Sequence, residues 1–484
     1  MITNKRMKWE NLLSADTQVP REAEPEDFKK YPMDDLEKDY KAIISSAAFR
    51  RLQDKTQVFP LDKSDFVRTR LTHSLEVSTI ARQLGIMITQ NNTHFLPEEF
   101  EVKGQKNEFV EKIPVVLSCA GLLHDLGNPP FGHFGEVVIG EWFQTEFRKS
   151  AFCYDGTPIV QILSEQMKKD LENFEGNAQA LRILSKIKKK GKSHEINLTT
   201  GVMGTLIKYP TSSLEFTDGK DKDIRKHKLG YFYAEQEIFE DISRRTGTWM
   251  EQGNTARHPL AFLMEAADDI AYSTADLEDA FKKKLFTLKD FIAYFKQKMG
   301  DDKKAQLLIG DLEKRIKNVG DSEEEMIAFQ NWMDYARGWF MYCVAYSFSN
   351  NYKGIMEGTF CRELIEGTFH EKSMQIFKDA MAKFVYGNAE IVKLELSAKK
   401  IISSLLDDFI DAVIYDMEDE NHKLTKAQKK LWSLIPDNLQ ADYRNAKTGD
   451  ESFDLYLRFL MITDFISGMT DSYAKNLYQE LNGY

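Results

Sequence analysis

Residues 121–136 read GLLHDLGNPPFGHFGE, and no other stretch limits so sharply what this chain can fold into. An apolar helical run ends at His124-Asp125, a Gly-Asn-Pro-Pro break follows, and His133 and Glu136 then stand three residues apart. Proline cannot donate to a helix and disfavours the α conformation of the residue before it, so the break separates two helices. An imidazole and a carboxylate side by side at a helix end can reach one divalent ion of the Mn, Fe, Zn or Mg kind. Alternatively, the pair lies on the surface and caps the helix terminus. The metal reading requires a further His and a further carboxylate from elsewhere in the chain.

The segment RTRLTHSLEVSTIARQLGIMI, residues 68–88, offers the histidine. Leu75, Val77, Ile80, Ala81, Leu84 and Ile88 form the predicted buried stripe of a helix, with Thr72 or Ser74 as its cap. His73 falls at its start and Arg70 one turn earlier. PLAFLMEAADDIAYSTADLEDA, residues 259–280, offers the carboxylate, because Asp268-Asp269 interrupts a core-like helix. A buried aspartate without a partner is costly, so a cation is expected beside it. Asp268, Tyr272 and Asp276 recur every four residues, a rise of about 6 Å per step. If Asp268 holds a metal on a phosphate, the other two lie where the sugar of the same nucleotide would be.

Beyond the break, residues 137–147 continue as a helix. His133 and Glu136 then share a face, where the carboxylate can hold one ring nitrogen and leave the other for proton transfer; the plain alternative is a capping Glu beside a bystander His.

Residues 34–58 predict an amphipathic helix with Leu36, Tyr40, Ile43, Ile44 and Ala47 at helical spacing, and Arg50, Arg51 and Gln53 near its far end. Glu175-Gly176-Asn177 opens a helix whose end carries Lys186, Lys188, Lys189, Lys190 and Lys192, a run that suits a solvated terminus. A helix from Thr199 stops at Pro210, and Lys208, Tyr209 and, past a polar loop, Lys228 could serve phosphate oxygens.

From Phe286 onward the pattern is helical, without repeats or a clear linker. One elaborate all-α domain over 1–484 is expected, with a core at roughly 36–285 and a C-terminal helical region at roughly 286–484. The aromatic-rich run 339–348 reads as core or subunit interface. The polar start and the lack of an 18-residue apolar run predict a cytoplasmic protein with no membrane span. Cys119, Cys153, Cys343 and Cys361 form no CxxC pair, so neither a zinc ribbon nor a disulfide framework is expected. The net charge of -11 opposes wholesale nucleic-acid binding, so an anionic substrate needs a locally positive pocket.

Together, RTRLTHSLEV, GLLHDLGNPPFGHFGE and MEAADDIAYSTADLEDA resemble the HD-domain phosphohydrolases, and among them the bacterial deoxyguanosine triphosphate triphosphohydrolases. FRRLQDKTQVF, FEGNAQALRIL and TDFISGMTDSYA extend the likeness to the last helix. The resemblance implies an all-α HD fold, with His73, His124, Asp125 and Asp268 as ligands of one divalent ion, Mn or Mg first. It implies His133 and Glu136 as the catalytic pair and Arg70 on the α-phosphate. Asn177, Lys208, Tyr209 and Lys228 would hold the triphosphate, Gln53 and Asp276 the sugar 3′-hydroxyl, and Tyr272 would stand where a ribose 2′-hydroxyl clashes. Many HD enzymes read HDxGH; Asn128 replaces that second His here and argues for a mononuclear centre.

The implied reaction is hydrolysis of dGTP, or of several dNTPs, at the α-phosphorus to deoxynucleoside and inorganic triphosphate. His133 would be the acid on the leaving 5′-oxygen, a role exchangeable with base. A homo-oligomer, a hexamer by resemblance, and single-stranded DNA as regulator would follow, with the Lys186 to Lys192 run as the first place for DNA. Two alternatives stand beside it: an HD phosphodiesterase or nucleotidase with a smaller pocket, and a DNA-responsive nucleotide sensor.

Overall fold

Helices dominate because apolar residues recur at helical spacing almost throughout; the fold is all-α, and the one strand pair among the described residues is the short ribbon Cys153–Tyr154 with Thr157–Pro158. The computed structural model describes residues 6–21, 33–59, 61, 64–90, 100, 108–186, 196–250, 254–317, 319–419 and 421–483. Among these, no helix is long and apolar enough to cross a membrane.

Two helices carry the first half of the site. Arg70–Gln90 holds His73 in its first turn, and Glu108–Leu123 runs into His124-Asp125. They cross closely because small residues meet at the crossing: a Cβ on Gly121 would lie 2.7 Å from the Cα of Ser78, and the Ser78 hydroxyl donates to the Ser118 carbonyl at 2.9 Å. That approach leaves the His73 and His124 rings edge to face, with centroids 5.1 Å apart.

Pro259–Lys282 lies across both. It starts with proline at its first position, and its cap His258 accepts from the Leu260 N–H through Nδ1. It is buried on nearly every side, which is why an apolar helix carrying two aspartates can run through the interior.

Apolar side chains collect in two clusters. One surrounds the helices just described and includes Leu123 and Leu126; the other surrounds Gly132–Glu146, Ala389–Val413 and Glu451–Ser467 and includes Phe131. The Gly-Asn-Pro-Pro turn therefore runs from one core to the other. Phe131 closes it with φ 62, a left-handed conformation that a bulky residue adopts only when its surroundings enforce it. Its N–H donates at 2.9 Å to Asp471, which also accepts from the Thr56 N–H at 3.1 Å. A second long-range tie comes from Arg182, whose guanidinium grips both oxygens of Asp464 at 2.8 and 2.9 Å.

Several local expectations are corrected. The 34–58 helix breaks at Ser46 into Asp35–Ser45 and Ala47–Arg51, because the Ser46 hydroxyl caps the second piece. Tyr40 and Ile44 point outward while Asp39 is buried, accepting from Thr199. The His73 helix begins at Arg70, before the caps expected at Thr72 or Ser74; Thr69 and Thr72 bond reciprocally across its start. Leu75 is 44% exposed, so it leaves the buried stripe. The Thr200–Leu206 helix ends before Pro210. The final aromatic-rich segment is two helices, Glu451–Ser467 and Asp471–Leu481. Within Ser322–Asn350, Phe340 and Phe348 are core, whereas Tyr342 and Tyr346 are exposed. Cys119 and Cys343 are buried, Cys153 and Cys361 half-buried, and all four are free thiols.

Candidate metal centre and active site

His73, His124 and Asp125, all buried, offer ligand atoms within 4.8 Å of one another. The Asp268 carboxylate completes the group: its Oδ1 lies 3.1 Å from His73 Nε2 and 3.4 Å from His124 Nε2. His124 Nδ1 is 2.8 Å from the Gly121 carbonyl, an atom that only accepts, so Nδ1 carries the proton and Nε2 presents a lone pair. That Nε2 is buried and makes no hydrogen bond, although Asp125 Oδ2 is also 3.4 Å away. A lone pair facing two carboxylates is repulsive unless a cation stands between them.

The electrostatics agree. Burial alone would lower the His124 pKa, yet the neighbouring Asp125 and Asp268 raise it to about 10, so the two carboxylates call for a positive charge at Nε2, which either a proton or a metal ion can supply. Burial likewise opposes ionisation of Asp125, but Arg70 and His124 hold it well below the usual carboxylate range. Lys208 and His124 do the same for Asp268. With two nitrogen and two oxygen donors, the residues present fit one divalent ion. Asn128 is not a ligand: its Nδ2 donates to Asp125 Oδ1 at 2.6 Å and orients that carboxylate.

Cations ring these four side chains. Arg70 donates to Asp125 Oδ2 at 2.7 Å, and Lys208 donates to Asp268 Oδ2 at 2.9 Å. Tyr209 turns its hydroxyl to Glu265 at 2.8 Å, and the buried Arg257 pairs with the same carboxylate at 2.5 Å. Glu265 sits one turn before Asp268, so one helix holds both the ligand and the anchor of Tyr209.

The His133–Glu136 pair begins the next helix, Gly132–Glu146. His133 Nδ1 and Glu136 Oε2 are 2.8 Å apart, with the imidazole 77% exposed and the carboxylate 6%. The other Glu136 oxygen accepts from the Gly176 N–H at 3.0 Å. The bond from Glu136 raises the His133 pKa, against the effect of burial. Beside it, Glu175 accepts from Asn177 at 2.7 Å and from Lys228 at 3.2 Å.

The structure thus brings His73, His124, Asp125, Asp268, Arg70 and Lys208 into one contact group, and His133, Glu136, Asn177 and Lys228 into a second joined through Glu175 and Gly176. Tyr209 lies at the edge of the first. Tyr272 is half-buried, with Lys378 Nζ 5.9 Å from its ring centroid. Asp276 is buried, and burial together with Asp279 pushes its pKa well up against the pull of Arg68. Gln53 is exposed on the turn Leu52–Asp54 and hydrogen-bonds to none of the other site residues among those described. Of the lysine run, Lys186 pairs with Asp464 at 2.7 Å, while Lys188, Lys189, Lys190 and Lys192 lie outside the described residues.

Sequence reasoning passed over Glu175, Glu265, Arg257 and the anchoring roles of Asn128 and Asp471. Only Glu175 carried a local signal, as the acid immediately before a helix start.

Gly176 is the narrowest point between the two groups. A Cβ there would fall well inside van der Waals contact with Asn128 Oδ1 and Glu136 Oε1. Gly176→Ala is therefore expected to displace the residue that orients Asp125 and the one that orients His133 together. The rate of a reaction catalysed at this site should fall roughly 10–100-fold, the scale of a 1 Å misplacement, with stoichiometric divalent-ion binding retained; titration of Mn alongside the rate assay checks both.

The HD domain family matches residues 70–272, and the phosphohydrolase-associated domain family matches residues 368–480. The chain is 43% identical over 482 residues to a deoxyguanosinetriphosphate triphosphohydrolase-like protein of Listeria monocytogenes, covering 99% of this chain and 100% of that protein. It is 30% identical over 483 residues to the deoxyguanosinetriphosphate triphosphohydrolase of Yersinia enterocolitica, covering 92% and 93%. A deoxyguanosinetriphosphate triphosphohydrolase-like protein of Synechocystis is 32% identical over 488 residues, covering 99% of each.

Proposed function

Because this chain belongs to the deoxyguanosinetriphosphate triphosphohydrolase family of HD-domain hydrolases, we propose that it hydrolyses dGTP at the α-phosphorus, to deoxyguanosine and inorganic triphosphate. The observation that carries the reading is the unpartnered His124 Nε2 among His73, Asp125 and Asp268, with the His133–Glu136 pair on the next helix. A divalent ion held by those four side chains, Mn or Mg, supplies polarisation of a phosphate oxygen and activation of water.

The chain's own groups do the rest. Arg70 and Lys208 already face carboxylates at the ligand group, so each can turn a donor to the α-phosphate and offset the charge that develops there. Lys228, Asn177 and Tyr209 extend the positive and polar surface along the β- and γ-phosphates. Water oxygen attacks phosphorus as the bond to the 5′-oxygen breaks, and the proton that the water gives up passes to solvent, from which His133 recovers the one it spends. His133 shares its Nδ1 proton with Glu136 and delivers the Nε2 proton to the leaving oxygen. Asp276 and Gln53 take the sugar 3′-hydroxyl, and Tyr272 leaves no room for a 2′-hydroxyl. Family resemblance further supports a cytoplasmic homo-oligomer, a hexamer, with single-stranded DNA as regulator.

The direct test supplies purified protein and Mn or Mg with each deoxynucleoside and ribonucleoside triphosphate in turn. Inorganic triphosphate is the expected product, with dGTP the best substrate. Orthophosphate or pyrophosphate in its place would sink the α-phosphorus reaction, and equal cleavage of GTP and dGTP would refute the role given to Tyr272.

A further inference from the structure

Asp269, the second aspartate of the pair, takes no part in the ligand group. It points to the opposite side of its helix's inner face and meets Lys378, whose Nζ lies 2.9 Å from Asp269 Oδ2 and 3.6 Å from Glu363 Oε2. Lys378 belongs to Glu371–Met381, a helix within the region matched by the phosphohydrolase-associated family. That helix packs on Pro259–Lys282, where the Ser273 hydroxyl donates to Met374 Sδ at 3.2 Å.

Asp269 and Tyr272 are three residues apart on one helix and so are surface neighbours. Lys378 serves both: its ammonium bonds the carboxylate and stands 5.9 Å from the centre of the Tyr272 ring, within the range of a cation–π contact. The ring is half-buried, so one edge remains open to move. Among the described residues Tyr272 makes no other cation–π contact and no ring stack, and a tyrosine that excludes a hydroxyl must not swing aside.

We propose that Lys378 is the positioning residue for sugar discrimination: by joining Asp269 to the face of Tyr272 it fixes the ring where a 2′-hydroxyl would sit. This rests on the reading of Tyr272 given above. Lys378 touches no substrate; it acts through Tyr272, and it makes a helix outside the HD-matched residues part of the specificity of a site inside them.

The test compares kcat/KM for dGTP and GTP in the full-length protein, with Mn, for the wild type and for Lys378→Met, Lys378→Arg, Tyr272→Ala and the double variant Asp269→Asn/Lys378→Met. The double variant removes both charges, so no buried carboxylate is left unpaired if the single change unfolds the chain. Lys378→Met and the double variant are expected to lower the dGTP:GTP ratio about tenfold, equivalent to about 1.4 kcal/mol. Lys378→Arg, which keeps a cation in reach of both partners, should restore it to within threefold of the wild type. A purely structural lysine would lower both substrates in parallel and leave the ratio fixed, and that result overturns the proposal. If the wild type has no preference, or Tyr272→Ala keeps it, the reading of Tyr272 falls and this inference with it. If Tyr272→Ala loses the preference while both Lys378→Met variants keep it, only the inference on Lys378 falls.

Discussion

Asp268→Ala is expected to abolish stoichiometric Mn binding and to cut turnover roughly a thousandfold or more. One Asp268 oxygen faces both His73 and His124, and the other holds Lys208. Asp125 is already matched by Arg70. Removing Asp268 takes from Lys208 its hydrogen-bonded carboxylate and leaves Glu265 and Asp125 as its remaining opposite charges, so the site loses a donor and becomes more positive beside the two imidazoles. Lewis-acid polarisation is worth several kcal/mol, and each decade of rate is about 1.4 kcal/mol, hence three decades as a working floor. Asp268→Asn, which keeps the shape and deletes the charge, should behave nearly as badly. Calorimetric Mn titration, triphosphate release and a thermal unfolding curve separate the effects: a variant that still binds one Mn with wild-type affinity, or keeps more than a tenth of the rate, removes Asp268 from the ligand set.

The second large effect belongs to the proton-transfer pair. His133→Gln should lower kcat by about 10²–10⁴ while leaving Mn affinity within a few fold, because His133 bonds Glu136 and none of the ligands. Glu136→Gln should cost less and change the pH profile. The Glu136 carboxylate raises the His133 pKa from the ordinary 6.5, and an acid works only while it holds its proton. The rate therefore stays high below that raised value and declines as pH rises through it. With Gln at 136 the alkaline limb should move down toward 6.5. Profiles of kcat at saturating Mn decide the matter, and an alkaline limb that stays in place in Glu136→Gln would exclude His133 as the acid.

Much of this site was legible in the sequence because its parts are local. His124-Asp125 at a helix end, His133 and Glu136 at i and i+3, and aspartates inside an apolar helix each follow from spacing within one element. The remainder depends on partners that spacing cannot see. The buried Asp39 has its partner in Thr199, 160 residues further along the chain, which no local pattern indicates. Tyr209 follows Lys208 in the chain, but spacing does not reveal that its hydroxyl meets Glu265, whose charge is balanced by Arg257 from before the helix. Leu75 fits the apolar stripe by period, yet it is exposed while the inward side of the same turn is taken by Arg70, His73 and Ser74. Breaks were misjudged where a single hydroxyl outweighed a continuous pattern, as at Ser46.

Asp471 also sets an order in time. The Phe131 N–H it accepts lies 340 residues earlier in the chain, and at ordinary translation speeds of about 5–20 residues per second that interval is roughly half a minute. Throughout it a growing chain on the ribosome owns His73, His124, Asp125, His133 and Glu136 but lacks the clasp that bends the turn between them. The turn that joins the two groups is therefore fastened only once the helix bearing Asp471 has emerged and docked, long after the residues it fastens have been made.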